Sequence, residues 1–135
     1  MKAIELMVGD YLTFPDVQND SNCPKLRVIA INEEDVYVSN DGDPVADLCD
    51  PTELSGIPIT PEILEKNGVV KPRLSLWWLL DSHFRELWLS QHTDGSWWLY
   101  PSGDCDKAEN FAEIRFVHEL QHALRLCGID KEIEL

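Results

Sequence analysis

Val117-His118-Glu119-Leu120-Gln121-His122-Ala123-Leu124-Arg125-Leu126-Cys127-Gly128 is the stretch on which the reading of the fold turns. At about 100° per residue, Val117, Leu120, Ala123, Leu124 and Cys127 fall on one stripe, the pattern of an amphipathic helix with a buried face. Gly128 supplies the stop, because glycine enters the left-handed backbone region at little steric cost. On the same wheel His118, His122 and Arg125 lie roughly opposite the stripe, so both imidazoles are expected on the outer side.

The stretch also fits the H-E-x-x-H pattern of zinc peptidases, in which two His one turn apart bind the metal and the Glu activates water. In that chemistry His118 and His122 would be ligands and Glu119 the general base. A catalytic zinc needs a third protein ligand and a second lobe to close the cleft, and only thirteen residues follow His122. Asp130, Glu132 and Glu134 lie beyond the helix stop, and no His follows Gly128. Upstream, His83, His92 and Cys105 are candidates that no spacing rule selects. The expectation is therefore an ordinary helix face, with no catalytic, metal-binding or cofactor-binding residue assigned and no enzyme activity.

The totals agree with a small folded protein. A chain of 135 residues with 44% hydrophobic residues forms one domain, or two small units sharing a core. The formal charge of −14 repels nucleic-acid backbone and anionic membrane, so a protein partner is expected rather than either of those. Glu5 interrupts the apolar segment that a signal peptide would need, and no run approaches membrane-spanning length, so a cytoplasmic location is expected. Cys23, Cys49, Cys105 and Cys127 show no C-x-x-C spacing and are read as reduced thiols.

Along the chain, residues 5–14 alternate as a strand with a kink at Gly9-Asp10. Residues 15–24 form a loop, and the β-branched runs 26–31 and 36–39 flank a turn and should pair as a hairpin. Short strands with tight turns suggest a small curled sheet or SH3-like barrel. Asp41, Asp43, Asp47 and Asp50 raise the question of calcium, but their spacing misses the twelve-residue loop, and residues 40–51 are read as a solvated loop. Thr60-Pro61-Glu62 then opens a short helix with a good N-cap, a proline at the first position and an acidic first turn, and Gly68 closes it.

The second half carries all five tryptophans, Trp77, Trp78, Trp88, Trp97 and Trp98. They lie on strand-like runs at 74–80, 86–92 and 96–100, with Asp94-Gly95 marking a two-residue hairpin turn. Adjacent residues on a strand face opposite ways, so one Trp of each pair must point away from the helix-covered side. Those rings are expected to fill the seam between the halves; the alternative is an aromatic platform for a sugar, a base or a peptide. Residues 112–116 suit one more strand or the first helical turn, and 131–135 an edge strand or a free tail.

Three stretches, Glu5-Leu6-Met7-Val8-Gly9-Asp10-Tyr11, Ile57-Pro58-Ile59-Thr60-Pro61-Glu62-Ile63-Leu64 and Phe116-Val117-His118-Glu119-Leu120-Gln121, together resemble a family of small uncharacterised proteins from Bacteroides-type bacteria, their phages and mobile elements. The resemblance implies no established activity, cofactor or substrate. In that family the last stretch often looks like V-H-Q-L-Q-N, with amides at the positions of Glu119 and His122, which tells against a zinc peptidase.

The expectation from the sequence is thus an α+β protein. It has an SH3-like β subdomain over 1–56, and over 57–135 a short helix and a Trp-rich antiparallel sheet packed by a C-terminal helix, the whole forming one folding unit. The expected function is that of an acidic cytoplasmic interaction or accessory protein of a phage or mobile element that binds another protein. The alternatives are a zinc-dependent hydrolase built on His118, Glu119 and His122, and an acidic DNA mimic.

Overall fold

The β-branched runs at 26–31 and 36–39 do pair, and the first sheet grows around them. The computed structural model describes residues 1–20, 22–40, 43, 45–73, 76–81, 85–100 and 112–135. They form two units: Met1–Pro58 with Phe116–His118, and Ile59–Arg115 with Glu119–Leu135. The protein is α+β, with an antiparallel sheet in each unit and a C-terminal helix.

The first unit contains strands Tyr11–Thr13 (β1), Leu26–Ile31 (β2), Val36–Asn40 (β3), Asp47–Cys49 (β4) and Ser55–Gly56 (β5). Their order is β4-β3-β2-β1-β5. The sheet is open, where the sequence suggested a barrel: its two edges are strands of three and two residues, too short to build a closing ladder. Alternation places Val28, Val36 and Val38 on one face, in a core with Leu6, Leu12, Leu26 and Leu54.

Two expectations need correcting here. The strand expected over 5–14 is confined to β1, because Gly9 takes φ +94° and the Asp10 carboxylate accepts the Met7 N–H at 2.7 Å, closing a turn ahead of it. The solvated loop expected over 40–51 contains β4, which pairs with β3 through Tyr37 and Leu48. Too few residues alternate there to register as a strand. Gly56 is required on steric grounds: a Cβ at that position would lie 2.7 Å from Phe116 Cβ and run into the ring.

The second unit begins with helix Pro61–Lys66 (α1). Strands Val70–Arg73 (β6), Leu76–Leu80 (β7), Glu86–Gln91 (β8), Trp97–Tyr100 (β9) and Ala112–Ile114 (β10) follow, and Val117–Leu126 (α2) is the last helix. The strands form an antiparallel meander in the order β10-β9-β8-β7-β6. β6 contains Pro72, and proline is tolerated there because β6 is an edge of the sheet.

Both helices end as their glycines dictate. At α1 the Val69 N–H bonds to the Leu64 carbonyl and the Gly68 N–H to that of Glu65, with Gly68 at φ +75°. At α2 the Ile129 N–H bonds to Leu124 and the Gly128 N–H to Arg125, with Gly128 at φ +69°. These are paired Schellman closures. The Arg85 guanidinium also donates to the Gly128 carbonyl, placing a cation where the helix dipole is negative. At the start of α1 the Thr60 hydroxyl accepts the Ile63 N–H at 3.3 Å.

The tail after α2 is neither a strand nor free. Ile129 and Ile133 are buried, and the Asn67 side chain holds the backbone of Glu134 in both directions, donating to its carbonyl at 2.8 Å and accepting its N–H at 2.7 Å. The same Asn67 amide donates to the Ile63 carbonyl at 2.7 Å. Among the described residues no helix is long and apolar enough to cross a membrane, and Cys23, Cys49 and Cys127 are free thiols. Asn67 is buried at 4% exposure, so Asn67→Ala strands several backbone groups. The expected loss is about 2–3 kcal/mol of unfolding free energy, read from the denaturant midpoint, with faster hydrogen exchange at the Glu134 amide.

Candidate functional site

Two constellations were legible in the sequence, the H-E-x-x-H stretch and the outward tryptophans. The first proves to be built into the fold. His118 was expected on the outer side of the helix but is buried at 5% exposure, its ring 5.9 Å from that of Phe116 and nearly parallel to it at 8°. Gln121 is buried as well. The stripe deduced from periodicity is therefore too narrow: the helix is enclosed on more than one side in its first turns, which a single-stripe pattern does not reveal.

Glu119 has a structural duty. Its Oε2 accepts the backbone N–H of Arg115 at 2.7 Å, an N-terminal cap of the capping-box kind reaching one residue further back than usual. His122 is half-buried and Arg125 exposed. Among the described residues no three His, Cys, Asp or Glu converge in a way that could hold a metal ion; His83 and Cys105 lie outside the described residues. In the acidic loop, Asp43 accepts the Val45 N–H, and Asp50 accepts both the N–H and the hydroxyl of Thr52. Those two bonds from Thr52 hold the Asp50 carboxyl below the usual range. Asp41 lies outside the described residues.

The tryptophans divide by strand register. Trp77 and Trp97 are buried, meet edge to face at 6.2 Å, and share their face with Leu79, Leu87, Leu89 and Leu99. The Trp97 N–H donates to the Ile59 carbonyl at 3.3 Å. On the opposite face the register sets Val70, Trp78, Trp88 and Tyr100 in one row across β6, β7, β8 and β9. A second row runs Leu76, Ser90, Trp98 and Glu113.

Within the first row Trp78 and Trp88 stack at 5.7 Å, and Glu86 Oε2 fixes the Trp78 indole N–H at 3.0 Å. Beside the second row His92 stacks on Trp98 at 4.1 Å. Such cross-strand aromatic pairs stiffen a sheet. The rings are half-buried, not enclosed. The buried nitrogen atoms Trp88 Nε1 and His92 Nε2 have no hydrogen-bond partner among the described residues.

The hairpin carrying His92 and Trp98 is fastened by polar contacts. His92 N–H bonds to the Ser96 carbonyl at 2.9 Å, so the loop contains three residues rather than the expected two, with Gly95 at φ +86°. The Ser96 hydroxyl and amide both bond to Asp94 Oδ1, and Arg115 contacts Asp94 Oδ2 at 3.3 Å. The Ser96 hydroxyl is the largest cause of an Asp94 carboxyl held below the ordinary aspartate range. Because the folded-state value is the lower one, this fastening is complete above the ordinary aspartate range and is lost as pH falls below that range through the depressed folded-state value.

Periodicity assigned one Trp of each adjacent pair to each face, but it had no means of placing Trp88, which has no Trp neighbour in sequence. Its place follows from pairing with Trp78 and Tyr100. No family model, curated protein or solved structure matches the chain.

Glu119→Ala is expected to remove a cap and cost about 1 kcal/mol of unfolding free energy, with Glu119→Gln retaining part of it. Protein prepared without chelators or a His tag is expected to carry less than stoichiometric zinc; one zinc per chain, lost on His122→Ala, would instead make this helix a metal centre.

Proposed function

We propose that the chain is a non-catalytic protein-interaction or accessory module that docks a protein partner on the aromatic face of its second sheet. The observation that carries this reading is the row Val70, Trp78, Trp88 and Tyr100, with Trp98 beside it, on the face opposite the buried Trp77 and Trp97. Tryptophan and tyrosine are enriched among the residues that dominate binding energy, since they bring large rigid area at small entropic cost. A net charge of −14 steers basic proteins toward the chain and nucleic acid away from it.

The capping role of Glu119 supports a helix that serves the fold rather than hydrolysis. The cytoplasmic setting, the phage or mobile-element context taken from the resemblance, and the SH3-like character of the first sheet belong to the same proposal. The test compares wild type with Trp98→Lys and Trp88→Ser, each checked for folding by circular dichroism, in retention of a binding protein from a host lysate. Retention should fall by about tenfold or more for these variants and stay unchanged for Leu126→Lys, which alters an exposed helix residue. Equal retention by all four proteins would exclude the aromatic face.

A further inference from the structure

The first unit carries a surface that the aromatic face of the second does not account for. Ala30, Tyr37 and Leu48 stand opposite one another across β2, β3 and β4, and all three are exposed, Leu48 at 56%. Ile29, displaced at the bulge between Val28 and Ala30, is exposed too, as is Val45 just ahead of β4. The row ends at β4, an edge of the sheet, where among the described residues no ladder stands on the outer side.

The sequence around the row is mainly anionic, with Arg27 of β2, opposite Ser39, as a cation at its margin. Residues 28–56 contain eight Asp or Glu and no Lys, Arg or His. The Cys49 thiol registers this: burial pushes it up, and Glu53 and Asp47 push it further. On β4 itself the two characters alternate, with Leu48 beside Tyr37 on one face and Asp47 and Cys49 on the other.

A second copy of the chain is a poor occupant, because pairing two β4 edges would bring their Asp47 and Asp50 carboxylates together, and like charges across a ladder are destabilising. Nucleic acid is repelled by the same charges. A purely apolar segment would leave the carboxylates without counter-charge.

The geometry points to an extended segment of another protein, alternating apolar residues with Lys or Arg, that adds to β4 as a further strand. Its apolar side chains rest on Tyr37 and Leu48, and its cations face Asp47. The acidic edge thus discourages self-pairing while leaving the backbone open to a basic strand. This deepens the protein-binding reading above but uses the other unit, so the two surfaces fail or succeed separately.

The test titrates the full 135-residue chain, labelled with 15N, with a short peptide alternating lysine and valine. The expected result is amide shifts concentrated at Val45, Asp47, Leu48, Cys49 and Tyr37, slower hydrogen exchange in β4, and an affinity that weakens with salt. Leu48→Lys should weaken binding by about tenfold; if that variant fails to fold, Tyr37→Lys takes its place. Trp98→Lys should leave peptide binding unchanged, which separates this surface from the aromatic one.

Equal binding by a glutamate-valine peptide would overturn the proposal. So would equal binding by a lysine-valine peptide methylated on its backbone nitrogens, unchanged affinity in Leu48→Lys, or shifts confined to the Trp88 and Trp98 indoles. Concentration-dependent shifts of the β4 amides without any peptide would make the occupant a second copy instead.

Discussion

Neighbouring side chains on a strand cannot share a face, and much of the second unit follows from that constraint acting on two Trp-Trp pairs. Trp77 and Trp97 go to the buried side, where their edge-to-face contact is surrounded by leucines. Trp78 and Trp98 are thereby obliged to stand on the other side, whatever the cost of leaving indoles partly in water. Slipping the register by one residue would bury the second set and expose the first, so the core and the aromatic face are fixed together. The surface is as strongly specified as the interior.

The same coupling explains how much was legible beforehand. Glycine at a helix end and a hydroxyl at a helix start act within one turn, so both Schellman closures and the Thr60 cap could be placed from local sequence. The β2–β3 hairpin was equally local, since its strands are β-branched and its turn polar. The strands that escaped notice, β4, β5 and β6, owe their conformation to neighbours. β4 has three residues and exists because β3 offers it a ladder; β6 contains Pro72, which argues against a strand anywhere except an edge.

Site reading failed at a particular residue for a particular reason. A helical wheel assumes one buried stripe, and it put His118 on the wrong side because it carries no information about what lies against the first turn. Glu119 shows the converse: the motif suggested a general base, while the backbone geometry at Arg115 supplies a sufficient structural reason for a carboxylate there. The acidic tract was read as solvated loop because its charges are plain in composition, whereas the exposed row from Ala30 to Leu48 appears only once β4 is paired.

The grip of Asn67 on Glu134 joins positions sixty-seven apart in sequence. The entropic cost of closing such a loop grows only slowly with its length, and the two hydrogen bonds offset part of it. The latch thereby couples the last residues to the end of α1, so fraying of the tail would leave the buried Asn67 amide with unmet hydrogen bonds.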